Sequence, residues 1–405
     1  MAEIQRGKRI APLALIASAG LALAGVVAGC GGAPAAVSHP TTGSARSAPE
    51  SAHPATSAIQ LSAGHPSAAT PPRFFADIVR VSGSVAGEGP LQVRSSATGR
   101  LTARQPGYDA LAIAAYDSGS RLVVARQVSD RCASRLYRAT LSADGRLGRL
   151  TRLGPVIHGI VASVAADANA SVIGYFAGPC SKSASGYLAV LHARTGQVRR
   201  WTGVAMYGSD GSVATGSALS MSASGRVAVF TGEATGTGGR DIGQRVWALR
   251  TSASAGPLSA HMRTVLSRPN AGPALSAAVL SPGGKTFYLC VVSTKGTVSA
   301  HHTVTQTAVI TVRRTSDGAS TGTVAKLTAT GVTFMGEALG CPMAMTPDGH
   351  YLLAPYKLRY GNSTSVPPLV SAAVLGTSSP ARRFISFRLP GSGGMSVATG
   401  VSIEW

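Results

Sequence analysis

An all-β fold built from repeated four-stranded units is what this 405-residue sequence predicts. Three observations carry the prediction. Charged residues make up only 13% of the chain while glycines number 49. From Pro71 onward, short alternating or apolar runs are broken by Gly, Pro, Asp and Ser turns. One turn-and-strand phrase returns along the chain. Short buried strands joined by tight turns need few charges and many glycines, and long surface helices need the reverse. Aromatic residues reach only 5%, so the core must rest on Val, Ile, Leu and Ala.

The recurring phrase reads DSGSRLVVA at Asp117, DANASVIGY at Asp167, SASGRVAVF at Ser222, SPGGKTFYL at Ser281 and TPDGHYLLA at Thr346, at intervals of 50, 55, 59 and 65 residues. A second turn recurs at SATG (Gly99), SADG (Gly145), ARTG (Gly196) and TSDG (Gly318), with looser versions at TSASAG (Gly256) and GTSSP. Each unit thus reads as apolar run, tight turn, second run, variable loop, third strand, turn, fourth strand. Four short strands per repeat of this length form the blade of a β-propeller. The count is six blades, with seven the alternative if the long units after Asp210 hide one merged pair.

The hairpin phrase resembles that of WD-repeat and YVTN-type bacterial propellers, whose blades carry a Ser-Pro-Asp-Gly-Lys-like turn between first and second strands. SPGGKTFYL and TPDGHYLLA match it well and DANASVIGY poorly. No Trp-Asp dipeptide occurs, so the eukaryotic version is not implied. The resemblance covers about residues 73–405 and speaks to architecture alone.

The ends of the repeat predict how the ring closes. The unit that begins at Arg73 has FFADIV, LQVRSS and RLTARQ but no first strand, and one extra strand, MSVATGVSIEW, remains between Met395 and Trp405. The C-terminal strand is expected to complete the first blade. The propeller accordingly spans 71–405.

Residues 1–29 read as an export signal. A short basic start, MAEIQRGKR, precedes an uncharged run from Ile10 to Gly29. The run ends in Val27-Ala28-Gly29-Cys30, which resembles the bacterial lipobox. The resemblance implies that Cys30 is lipidated and becomes the mature N-terminus, as in an exported lipoprotein of actinobacterial type, held at the outer face of the cytoplasmic membrane. Ordinary cleavage and an uncleaved anchor are the alternatives, because the apolar run nears the length of a membrane span. Residues 30–70 are Ala, Ser, Pro, Gly, Thr and His with almost no large apolar side chain, so they read as a disordered tether. His39, His53 and His65 within it are too widely spaced to chelate a metal.

The formal charge of +21 invites a nucleic-acid reading. Arg outnumbers Lys 31 to 6 amid abundant Ala and Gly, which is the bias of a GC-rich genome, and neither a recognition module nor a basic run with interleaved aromatics accompanies it. Nucleic acid is therefore excluded, while anionic lipids or wall polymers suit such a charge.

Four cysteines follow Cys30: Cys132, Cys180, Cys290 and Cys341. An even number in an exported chain favours disulfides. The repeat register places Cys132 and Cys180 in the same loop of neighbouring blades, and Cys290 and Cys341 at one end of the ring. The expected bridges are 132–180 and 290–341, with buried free thiols the alternative for the second pair.

Motifs of catalysis are weak. DSGS at Asp117 fills the hairpin slot that SPGG and TPDG fill elsewhere, and a turn explains it. GEATGTGGRDIG, from Gly232, lacks dinucleotide-site spacing, and no helix follows it. The adjacent His301 and His302 would point apart on a strand. Neither a metal nor a cofactor is expected. Superposing the five hairpins puts Tyr108, His158, Val213, Gly272 and Glu337 in one slot at the start of the first strand, ringing a channel mouth, with Asp109 and Asp210 nearby. Tyr108, Asp109, His158, Asp210 and Glu337 are the candidate ligand-binding residues. The function expected is a non-catalytic binding or scaffold module for a protein, peptide or cell-wall glycan. The alternative is an envelope hydrolase or lyase at the channel mouth.

Overall fold

The computed structural model describes residues 71–81, 89–129, 132–178, 185–205, 213–235, 241–269, 273–296, 304–332, 337–338, 343–359, 369–378, 382–388 and 398–404. They form six four-stranded blades in a ring. Blade 1 holds β1 (Phe74–Val81), β2 (Gly89–Ser95) and β3 (Leu101–Ala110). Blade 2 is β4 (Ala112–Tyr116), β5 (Arg121–Ser129), β6 (Ala133–Thr140) and β7 (Thr151–His158). Blade 3 is β8 (Ile160–Ala166), β9 (Val172–Gly178), β10 (Gly186–His192) and β11 (Gln197–Ala205). Blade 4 is β12 (Val213–Met221), β13 (Val227–Thr235), β14 (Asp241–Arg250) and, after the two-residue β15 (Gly256–Pro257) and one helical turn α1 (Leu258–His261), β16 (Met262–Arg268). Blade 5 is β17 (Ala274–Leu280), β18 (Thr286–Lys295), β19 (Val304–Arg314) and β20 (Ser320–Val332). In blade 6 the inner strand is split into β21 (Glu337–Ala338) and β22 (Ala344–Met345), followed by β23 (Tyr351–Arg359), β24 (Leu369–Gly376) and β25 (Arg382–Arg388). The last strand, β26 (Ala398–Glu404), runs antiparallel to β1 and supplies the inner strand of blade 1.

The ring closes through its inner strands. They touch in the cyclic order β26, β4, β8, β12, β17, β22 and back to β26. Both expectations about architecture, six blades and closure by the C-terminal strand, therefore hold, and the seven-blade alternative falls away. Side chains alternate across each strand, so both blade faces must be apolar to pack against both neighbours. That requirement is why the sequence reads as short, nearly continuous apolar runs. Buried clusters join blade 1 to 2 (Ile78, Leu91, Ile113, Val124), 2 to 3 (Tyr116, Leu136, Tyr175, Leu191), 3 to 4 (Phe176, Trp201, Phe230, Trp247), 4 to 5 (Val229, Val246, Phe287, Leu289) and 5 to 6 (Tyr288, Ile310, Leu352, Leu375).

Polar bonds repeat with the blades and fix their order. The hairpin turns between first and second strands form a backbone relay. Asp117 N–H donates to the Ala168 carbonyl at 2.9 Å, Ala168 N–H to Ala223 at 3.0 Å and Ala223 N–H to Pro282 at 2.9 Å. All four residues occupy the same turn position, and proline, which has no N–H, ends the relay. In four blades the first turn residue closes its own turn: Asp167 Oδ1 accepts from Ser171 N–H, Ser222 Oγ from Val227 N–H, Ser281 Oγ from Thr286 N–H and Thr346 Oγ1 from Tyr351 N–H. This capping is why Asp, Ser and Thr recur there. The turn also needs a left-handed residue, filled by Gly225, Gly284 and Gly349, but in DANAS by Ala170 at φ 53°. The poor sequence match is thus a locally strained turn. Further out, the second turn of one blade is clasped by the outer strand of the blade before. Arg199 donates to the Thr251 carbonyl at 2.7 Å, Trp201 Nε1 to Ser254 at 2.8 Å, and Arg263 to the carbonyls of Thr315 and Ser316. A Cβ at Gly318 would sit 2.3 Å from the Val265 carbonyl oxygen, so only glycine lets this turn lie so close.

Candidate functional site

The strand order divides the ring into two ends. Both kinds of tight turn lie at one, the turn end. The other receives the crossovers from outer to inner strands and the connections between second and third strands. Two crossovers are fully described and are a single residue long, Leu111 between β3 and β4 and Gly159 between β7 and β8.

At this crossover end lie the sequence-predicted site residues that are described. Their strands differ from expectation. Tyr108 and Asp109 end the outer strand β3, where Asp109 pairs with Pro90, and His158 ends the outer strand β7, opposite Ala133. Glu337 does open an inner strand, β21, opposite Arg359, and Val213 opens β12. Asp210 and Gly272 lie outside the described residues, as do Cys30, Cys180 and Cys341. The difference has a local cause. The register of the outer strand slips between Gln92 and Pro90 in blade 1 and between Leu136 and Ser134 in blade 2, and these bulges turn β3 and β7 toward the next inner strand without an intervening loop. A superposition on hairpins alone cannot see a bulge one strand earlier.

Of the cysteines, Cys132 directly precedes β6, and its carbonyl accepts from Gly159 N–H at 2.9 Å. Cys290 is fully buried in β18 between Ala277 and Ile310.

Around His158 the geometry is explicit. Its side chain is exposed, and its carbonyl accepts from the Tyr187 hydroxyl at 3.2 Å. Arg200 lies over the Tyr187 ring at 5.1 Å, and Tyr175 meets that ring edge-on at 6.3 Å. Burial pushes the Tyr187 hydroxyl above the ordinary phenol range, with Arg200 opposing. Burial and then Tyr187 push Tyr175 higher still. Both hydroxyls therefore remain donors at any physiological pH. The crossover into β8 thus carries the His158 imidazole, with the Tyr187 phenol and the Arg200 guanidinium beside it on the paired strands β10 and β11, a set suited to hydrogen bonding and ring contact. Tyr187 and Arg200 were missed by sequence reasoning because they lie in the third and fourth strands of blade 3, outside the superposed slot. Only the ladder, which sets Tyr187 opposite Ala177 of β9 and puts Arg200 on the next strand, brings them to the crossover that follows His158.

A second polar group is buried in blade 1. Arg94 Nε donates to Asp77 Oδ1 at 2.9 Å, its Nη2 to Gln92 at 2.6 Å and its Nη1 to the Gly99 carbonyl at 3.2 Å. Asp77 is wholly buried, and its Oδ2 has no hydrogen-bond partner among the described residues. Desolvation outweighs Arg94 and raises the Asp77 carboxyl to about 6. Among the described residues no group of three or more His, Cys, Asp or Glu side chains could hold a metal, and no helix is long and apolar enough to cross a membrane.

No protein-family model matches the chain, and no curated protein does. Similar solved structures are distant. The Swd1 β-propeller domain of Myceliophteria thermophila Cps50 is 12% identical over 77% of this chain and 83% of that one, with a TM-score of 0.39. A putative 6-phosphogluconolactonase from Bacteroides fragilis is 12% identical over 80% and 97%, with a TM-score of 0.42. A functionally unknown protein from Desulfotomaculum acetoxidans is 12% identical over 81% and 98%, also at 0.42.

Proposed function

We propose that this chain is an exported lipoprotein whose propeller, tethered through Cys30 at the outer face of the cytoplasmic membrane, acts as a non-catalytic binding or scaffold module. The observation that carries the reading is the contrast between the two ends of the ring. The turn end is occupied by its own backbone relay from Asp117 to Pro282. The crossover end offers exposed His158 with Tyr187 and Arg200, on rigid strands that hold binding groups in place. Tyr108, Asp109, Asp210 and Glu337 belong to the same binding end in this reading. A protein, peptide or wall glycan suits such an amphipathic set. An oxidising compartment also suits bridges between Cys132 and Cys180 and between Cys290 and Cys341.

Crosslinking in the native envelope tests the reading, followed by the triple substitution Tyr108→Ala, His158→Ala, Glu337→Ala. The captured partner should be lost from the triple variant while the melting temperature stays near that of the parent. Cys30→Ala should shift the chain out of the membrane fraction or leave it unprocessed, and peptide mapping without reduction should recover both bridges. Unchanged detergent partitioning of Cys30→Ala would remove the anchor from the account. Capture unchanged by the triple variant would remove the site.

A further inference from the structure

The groove between blades 4 and 5 collects cations from both walls. Cross-strand partners share a sheet face. In β14, Val246 and Ala248 pack into the core between blades 4 and 5, so their neighbour Gln244 and the partners Arg268 and Arg263 in β16 face blade 5. On the opposite wall Phe287, Leu289 and Val291 of β18 enter the same core, so Arg313, Thr311 and Val309 of β19 face blade 4. Lys326 of β20, opposite Val309, faces blade 4 with them. Arg263 and Lys326 are exposed, and Arg268 and Arg313 are half-buried. Among the described side chains neither wall carries a carboxylate toward this groove. The nearby Asp317 pairs with Arg314, which alternation turns to the other face.

The arrangement opposes folding and favours an anion. Burial, and then the nearby charge of Arg268, make the Arg313 guanidinium harder to keep protonated. Like charges held together on rigid strands repel, and an anion between them removes that repulsion. The charges are also spread lengthwise. The partners of Arg268 and Arg263 in β14, Gln244 and Ala248, are four strand positions apart, which at the strand rise is about 13 Å. One small anion cannot meet all four cations, whereas an extended chain with recurring charge can. Arg313 Nη1 is held by the Gly318 carbonyl at 2.7 Å and Arg263 by two carbonyls, so their positions are set before any ligand arrives.

We infer that the groove between blades 4 and 5 binds a linear polyanion with repeated phosphate groups, laid along Arg263, Arg313, Arg268 and Lys326. The site lies along the outer strands and shares no residue with the His158 set, although its Arg268 ends β16.

The test uses the full-length protein and sodium polyphosphate as the probe, titrated at several salt concentrations. The variant Arg268→Gln with Lys326→Gln removes two cations whose side chains make no assigned bond within the protein. The control, Arg104→Gln with Arg152→Gln, removes two charges from the outer strands of blades 1 and 2. Neutralising half the site should weaken polyphosphate binding at least tenfold and cut its salt dependence by about half, in keeping with counterion release per phosphate. The control should change it less than threefold. Equal losses in both variants would reduce the effect to net charge and overturn the site. So would unchanged binding in R268Q/K326Q, or binding to phosphatidylglycerol vesicles with none to polyphosphate.

Discussion

The junction between blades 3 and 4 and the interior of blade 1 hold their parts together by different physics. Between blades 3 and 4, Phe176 meets Phe230 edge-on at 5.3 Å, Phe230 stacks on Trp247 at 5.6 Å, and Trp201 is buried beside them. Apolar area and shape fill the core there, with neutral hydrogen bonds such as Trp201 Nε1 to the Ser254 carbonyl at its edge, and a continuous chain delivers one blade next to the other. Blade 1 is assembled from opposite ends of the chain, with β26 beside β1, and in it lies the ion pair of Asp77 and Arg94 with Gln92. A buried ion pair adds little net stability over an apolar substitute, and its better-attested use is to fix register. The blade that the chain does not specify by continuity is the one that, among the described residues, carries a buried ion pair.

Four perturbations test that contrast. The largest effect belongs to deletion of 398–404. It exposes the edge of β1 and opens the core, so soluble, protease-resistant protein should be almost wholly lost, whereas removing 31–70 should cost little. Next come the two single truncations. Phe230→Ala should cost about 3–5 kcal/mol in chemical denaturation, through a cavity that its neighbours cannot fill. Asp77→Ala should cost a similar amount, about 3–5 kcal/mol, for another reason: it strands the Arg94 guanidinium without its counter-charge. The pair diverges on repair. Asp77→Leu together with Arg94→Met should recover most of the loss while weakening the preference for one register, and failure to recover any would mean the ion pair is worth more than its isosteres.

The third perturbation is pH. Folding raises the Asp77 carboxyl from 3.8 to about 6, so between these values the native state binds more protons than the unfolded one. The stabilisation linked to this group is fully present below about pH 4 and is lost as pH rises through about 6. From the size of the shift it amounts to about 3 kcal/mol at most. Asp144 and Asp317, held low by hydrogen bonds, act in the opposite sense, so the quantity to compare is the difference between wild type and Asp77→Asn. That difference should change across pH 4–6 and stay flat above it. Phe230→Ala, at a junction without a titrating carboxylate among its packed residues, should leave the pH profile parallel to wild type. The smallest effect is expected from Ala170→Gly, which relieves the left-handed alanine at the loss of one buried methyl. A gain of about 1 kcal/mol or less should appear as a small rise in melting temperature.

These contrasts also mark how far the sequence can be read. The hairpin phrases gave the blade count because a turn that takes a left-handed residue at its fourth position, and Asp, Ser or Thr at its first in every blade but the one where Tyr116 opens it, constrains residue type. Closure was legible for a similar reason, since a missing strand at Arg73 and a spare one at the C-terminus are visible in the text alone. The Asp77–Arg94 pair was not legible. In a chain with 37 basic residues, nothing in the phrase FFADIV sets one carboxylate apart until the ladder puts Asp77 opposite Gln92 and within reach of Arg94. The cationic groove was hidden likewise, because Arg263, Arg268, Arg313 and Lys326 face one another only through the registers of two blades. The strand placement of Tyr108 and His158 failed at the outer-strand bulges, which leave no residue signature.

The central claim is that the last strand completes the first blade in a defined register, with Ala76 opposite Glu404 and Asp77 opposite Ile403. Engineered cysteines read this register directly, since a one-residue slip sends every side chain to the other face. Ala76→Cys with Glu404→Cys should form a bond that peptide mapping identifies in high yield. Ala76→Cys with Ile403→Cys, displaced by one residue, should not. Equal bonding of both pairs, or bonding of the displaced pair alone, would contradict closure of the ring by β26 in this register.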